Sequence, residues 1–233
     1  AGGAIYVGGS FLWAVTGARN GFAAVQATTG ALFPWNPPQV AGTVETMLTN
    51  GTTIHLGGTF TNVGGVGRVN LAALDAPTGT LLPWAPLADG SVHVLLLDGG
   101  VLYVGGAFAH LGGVIRNNAG AVSAATGIVN AWIPNVFGPV YGLARSGSTM
   151  FIGGVFTNIN GFTRNNIAAV DATTGALQSW NPAANGQVLA LAMVNGALYA
   201  GGDFTLVRGQ PRNRLAALDP VSGLLTAWDP DAD

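Results

Sequence analysis

Apolar residues along this chain come in short runs, and almost every run stops at a glycine-containing turn. The stretch from 88 to 132 shows the pattern. A β-rich run at 92–97 meets the turn Asp98-Gly99-Gly100, and a second run at 101–104 ends at Gly105-Gly106. A longer loop covers 107–118, a third run covers 120–124, and a turn at 125–127 leads into a fourth run at 128–132. Short runs rich in β-branched and aromatic residues, bounded by Gly, predict strands, and no stretch carries the period of an amphipathic helix. The segment predicts four antiparallel strands joined in sequence.

The same pattern recurs along the chain. Gly pairs stand at 8–9, 57–58, 105–106, 153–154 and 201–202, in steps of 49, 48, 48 and 48. Trp35, Trp84, Trp132, Trp180 and Trp228 keep those steps, as do Phe11, Phe60, Phe108, Phe156 and Phe204. Five units follow, at approximately 1–35, 36–84, 85–132, 133–180 and 181–233, within one domain of 233 residues. Four antiparallel strands per unit at this period predict an all-β fold, a β-propeller of five four-stranded blades. Asp75, Asp171 and Asp219 open the turn between third and fourth strands, where a carboxylate caps backbone N–H groups. Gly30, Gly79, Gly127, Gly175 and Gly223 then fall at the left-handed position of that turn.

The first unit is short. Ile5-Tyr6-Val7-Gly8-Gly9 aligns with Leu102-Tyr103-Val104-Gly105-Gly106, so residue 1 falls in a turn and the innermost strand of the first blade is missing. We expect a processed segment or part of a longer array, with the open edge filled by further chain or a neighbouring molecule, because an unpaired strand invites association.

Composition narrows the function classes. Of 233 residues, 37 are Gly, 49% are hydrophobic and only 8% are charged, for a net charge of -2. No cysteine is present, so disulfide frameworks and thiolate metal sites are excluded. All eight basic residues are Arg, and a chain without lysine has no P-loop lysine and no Schiff-base lysine. The acidic balance and the absence of basic runs argue against nucleic acid or an anionic membrane surface as partner, and no membrane insertion is expected. The Gly pairs end strands rather than open helices, so they are not nucleotide loops.

The string GGxFTxxxGxxRNxxAxxD, clearest at 153–171, resembles the delta-60 repeat of bacterial surface and secreted β-propeller proteins, and the repeats of fungal cortical polarity-marker proteins. The second half, AALDAPTGTLLPW at 72–84, is similar to the tryptophan-docking motif of quinoprotein-type propellers. The resemblance covers all five units and implies an extracellular or cell-surface location. Quinoprotein dehydrogenases add a single non-repeated site with a cofactor, a calcium ion and a catalytic Asp. The sequence shows no such cluster and Glu45 has no evident partner in it, so neither cofactor nor enzyme activity is carried over.

An element present in every repeat reads first as framework. Trp35, Trp84, Trp132, Trp180 and Trp228 are expected to wedge between neighbouring blades, with Asp75, Asp171 and Asp219 holding turns. Arg19, Arg68, Arg116, Arg164 and Arg212 share one position in the loop between second and third strands. Asn20, Asn117, Asn165 and Asn213 follow four of them. Either these Arg residues hold the loop, by stacking on Trp or bonding loop carbonyls, or Arg68, Arg116, Arg164, Arg212 and the Asn residues form repeated shallow pockets for a polymeric glycan. His55, His93 and His110 fall at different unit positions, and His55 replaces the Tyr or Phe of other units. The expected function is a non-catalytic structural and interaction module whose partners are other proteins or further copies of its own chain. A multivalent carbohydrate-binding propeller is the alternative, and an enzyme with its site at the central channel mouth is a second.

Overall fold

The computed structural model describes residues 3–14, 17–19, 21–33 and 37–232, and every regular element among them is a β-strand. In the first unit Ala4–Gly8 pairs with Phe22–Gln26. The second unit pairs Val40–Thr49, Thr53–Val63 and Leu71–Asp75, and the third pairs Ser91–Asp98, Val101–Ala107 and Ala119–Ser123. The fourth pairs Val140–Ser146, Thr149–Gly154 and Ile167–Asp171, and the fifth pairs Val188–Val194, Ala197–Gly202 and Leu215–Leu218. In units two to five the second strand lies in the middle, bonded antiparallel to the first and third.

Two details differ from the sequence expectation. Among the described residues the fourth run of a unit is not an extended strand. It touches the third strand through one bridge, as at Leu74↔Leu81 and Val122↔Val129. The physical reason lies in its next residues. The carbonyl of Leu82 accepts a bond from the Arg68 guanidinium, and two residues later Trp84 leaves the sheet for the neighbouring unit. The long loop between second and third strands is also not featureless. In the third unit it folds into a small hairpin, His110–Leu111 with Val114–Ile115, and the fourth and fifth units repeat it.

The core is divided into seams, each built from two units. One buried cluster joins Phe22 and Ala24 of the first unit to Ile54, Leu56, Leu74 and Ala76 of the second. The next joins Leu71, Ala73 and Trp84 to Leu102, Val104 and Val122. Ala119, Ala121 and Trp132 then meet Met150, Ile152 and Val170, and Ile167, Ala169 and Trp180 meet Leu198, Ala200 and Leu218. Alternation along a strand sends successive side chains to opposite faces, so the sheets of the second to fourth units each contribute one face to each of two seams.

The Gly pair has a separate reason at each residue. A methyl placed on Gly105 would lie 2.6 Å from Val140 Cγ1, and one on Gly153 would lie 2.7 Å from Val188 Cγ1. The first Gly of the pair thus seats the buried Val that begins the next unit. A methyl on the second Gly would strike backbone within its own sheet, 2.0 Å from the Ser91 carbonyl oxygen at Gly106 and 2.0 Å from that of Gln187 at Gly202. At Gly201 the only side chain near such a methyl is Leu215, at 3.4 Å. Gly105→Ala is therefore expected to destabilise the chain by about 2 kcal/mol, while Gly201→Ala, at the same repeat position, stays within about 0.5 kcal/mol of wild type. Urea unfolding of the two variants measures the difference, and equal losses would remove the seating role assigned to Gly105.

Candidate functional site

The repeated side chains fasten seams. Trp84 Nε1 donates to the Ser123 carbonyl at 3.1 Å, Trp132 Nε1 to that of Asp171 at 3.0 Å, and Trp180 Nε1 to that of Asp219 at 3.3 Å. Each acceptor belongs to the following unit and opens its Gly turn. Buried indole N–H groups are thereby satisfied while their rings fill the seam. Trp35 lies outside the described residues. Trp228 is 40% exposed. A second ring stands edge-on to each described Trp: His55 to Trp84, Tyr103 to Trp132, Phe151 to Trp180 and Tyr199 to Trp228. Tyr103 Oη donates to the Ala172 carbonyl at 2.7 Å, and His55 Nε2 makes the matching bond to Ala124 at 3.1 Å.

The three turn carboxylates bond within their own turns. Asp75 Oδ1 accepts from Thr78 Oγ1 and the Thr78 N–H, Asp171 Oδ1 from Thr174, and Asp219 Oδ1 from Ser222. Those bonds hold all three carboxyls below the usual carboxylate range. The φ values of Gly79, Gly175 and Gly223 are 76°, 81° and 71°, the left-handed geometry that closes the turn.

The Arg positions bond main chain. Nη1 of Arg68, Arg116, Arg164 and Arg212 donates to the carbonyl of the preceding residue, and Nη2 reaches Leu82, Asn130, Gln178 and Thr226 at 2.7–3.2 Å. Asn117 and Asn165 act through their carbonyls, which accept from Val136 and Ala184 N–H groups of the following unit. Asn213 Nδ2 donates to Asp231 Oδ1 at 2.6 Å. A residue the sequence reading passed over sits two after Arg68, Arg116 and Arg164. Asn70, Asn118 and Asn166 have φ values of 62°, 60° and 63°, and their Nδ2 groups donate to Ala88, Val136 and Ala184 carbonyls of the next unit. Their common spacing from Arg was the available signal.

The first strands hold a different kind of position. Val44 pairs with Gly58 and Thr46 with Gly57, so Glu45 is an extra residue without a partner in the ladder. His93, Tyr141 and Leu189 are the extra residues at the same place in the next three units. A bulge turns its extra side chain out of the regular alternation. Here three of the four ejected side chains interact across unit boundaries. His93 Nδ1 lies 2.6 Å from Glu45 Oε2, and the His93 ring stacks on Tyr141 with centroids 4.5 Å apart and planes 20° from parallel. Glu45 Oε1 accepts from Thr59 Oγ1, which is 3.4 Å from Ser91 Oγ.

Glu45 thus has the partners that the sequence did not reveal, and His93 belongs to a row that aligning positions 45, 93, 141 and 189 would have displayed. The carboxylate makes Nδ1 the donor, so Nε2 is the ring's remaining polar atom. These contacts join a carboxylate, an imidazole and a phenol across three successive units.

No protein-family model matches the chain, and no curated protein does. Among solved structures, the computationally designed Ika8 protein is similar with a TM-score of 0.58 at 15% identity, over 91% of this chain and 69% of that one. The computationally designed Ika4 protein is similar with a TM-score of 0.50 at 18% identity, over 71% of this chain and 90% of that one. At such identities the likeness is one of fold.

His55 supplies a pH test of the seam. Burial lowers its pKa below the ordinary 6.5, outweighing the bond to Ala124, which raises it. The unfolded chain therefore takes up the proton first. The stability associated with neutral His55 is complete above about pH 6.5 and is lost as pH falls towards the lowered folded value. His55→Tyr, which restores the group found at Tyr103, should lose less stability than wild type between about pH 7.5 and about pH 5. Equal losses in urea midpoint for both proteins would mean that His55 does not carry this dependence.

Proposed function

We propose that the five units are blades of a β-propeller of the delta-60 type, and that the chain is a non-catalytic interaction module at the cell surface or outside the cell. One observation carries the reading. Residue types that repeat (Trp, Arg, Asn, Asp) are occupied with main-chain bonds of the frame. The residue type changes from unit to unit at the first-strand bulges, where Glu45, His93, Tyr141 and Leu189 stand in a row. A frame that repeats while one displayed position varies is what a binding scaffold requires. In a propeller the first strands line the axis, so the row would face the central channel. The partner is another protein or glycan that reads this mixed strip.

An array of defined glycans and purified proteins tests the reading with two variants. Ligands of the wild type are expected to lose affinity at least about tenfold with His93→Ala combined with Tyr141→Ala, in a protein that still unfolds cooperatively. Arg116→Ala combined with Arg164→Ala should lower the melting temperature instead. Binding that survives the first variant and vanishes in a folded form of the second would move recognition to the loop face and favour the carbohydrate reading. Chemical turnover of a bound ligand would favour an enzyme.

A further inference from the structure

We propose that this chain associates head to tail with a second copy of itself, the fifth unit of one molecule docking on the first unit of the next. The proposal deepens the reading of the units as like blades, because it uses the seam they share. That seam has a donating side and an accepting side. The donating side presents a Trp with an edge-on ring. The accepting side presents two carbonyls at the start of a Gly turn, beside an Ala and two apolar residues of the second strand. The same pieces meet between units two and three and between units three and four, and the Trp bond recurs between units four and five.

Both halves of this seam are exposed in the free molecule. On the donating side Trp228 is 40% exposed, whereas Trp84, Trp132 and Trp180 are 6%, 1% and 6% exposed. Its ring pairs edge-on with Tyr199 at 5.1 Å, as Trp132 pairs with Tyr103. Tyr199 occupies the position from which Tyr103 reaches the Ala172 carbonyl. On the accepting side Gln26 stands where Ser123, Asp171 and Asp219 receive an indole, and its carbonyl accepts the Gly30 N–H as theirs accept their own turn Gly.

The second-strand and turn residues of the accepting face match as well, while the first-strand Val that other seams seat on Gly has no counterpart among the described residues of the first unit. Ala27 and Gly30 are exposed, while Ala76, Ala172, Gly79 and Gly175 in the same places are buried. Ile5 and Val7 are 51% and 41% exposed, while Ile54 and Leu56 at their positions in the second unit are 1% and 0% exposed. The surface complementary to Trp228 and Tyr199 is therefore printed on the same molecule, on the opposite face of the series. An interface of this kind is heterologous, so copies join head to tail, as a closed ring where the rotation closes and an open series where it does not, instead of forming a symmetric pair.

Sedimentation velocity of the chain over roughly 1 μM to 1 mM tests this. Wild type is expected to shift towards dimers and longer species as concentration rises. Trp228→Ala removes the donating side, and Ala27→Arg fills the accepting side with a bulky charge. Ala27 is exposed, so Ala27→Arg should keep the wild-type melting temperature, whereas Trp228 packs on Tyr199, so Trp228→Ala should melt somewhat lower while remaining folded. Each variant alone should stay monomeric. An equimolar mixture should form heterodimers and nothing larger, because only one intact side remains on each molecule. A wild type that stays monomeric throughout, association untouched by Trp228→Ala, or a mixture that does not pair would each overturn the proposal. Ligand binding by the bulge row, measured on the monomeric Trp228→Ala protein, is unaffected by these outcomes and judges the module reading separately.

Discussion

Each sheet of this protein is apolar on both faces, and a three-stranded sheet cannot cover itself. Everything else in the structure follows from how one unit covers the next. Two contacts fix the spacing. At the first-strand edge a buried Val sits directly on a bare Gly backbone, as Val140 does on Gly105. At the third-strand edge a Trp crosses to the turn of the following unit, where its N–H finds a carbonyl. The first contact demands that no side chain be present, and the second demands the largest one. Together they hold neighbouring sheets at both ends of the seam, and the clusters of Ala, Leu, Ile and Val between them are packed at a set separation.

The same Gly pair links stability to display. The second Gly lets the first strand carry one residue more than its partner, because any side chain there would overlap the facing carbonyl. That extra residue is released from the packing rules that govern its neighbours. Val92 and Val94 on either side of His93 must pair with Gly106 and Gly105, and His93 need not pair at all. Energetic constraint and chemical freedom therefore lie one residue apart. This is why Glu45, His93, Tyr141 and Leu189 can differ while Val44, Val92, Val140 and Val188 cannot.

Much of this was legible in the sequence because it depends on residue types with few alternatives. The spacing of Trp, Phe and paired Gly announced the units, and the Asp and Gly positions announced the turns that Asp75 and Gly79 form. What stayed hidden depends on groups that every residue carries. The acceptors of the indole N–H are carbonyls of Ser123, Asp171 and Asp219, and nothing in a side chain marks a carbonyl as an acceptor. The Arg guanidinium could equally have faced a ligand, and only its distances to Leu82 and Asn130 assign it to the loop. The fourth run read as a strand because its composition suits one, but its carbonyls and its Trp are committed elsewhere. Glu45 and His93 are far apart in the chain and are neighbours only because two bulges lie side by side.

The direction built into the seam also has a genetic side. The second to fourth units give with one face, and the third to fifth receive with the other, so removing or duplicating one such repeat in register leaves a matching pair of faces at the junction. Recombination between repeats can change their number without inventing a new core. His55 and Phe151, standing where other units carry Tyr, show that single units drift within this rule. The bulge residues travel with their units through such events. Lengthening the array would therefore add one more displayed side chain to the row each time.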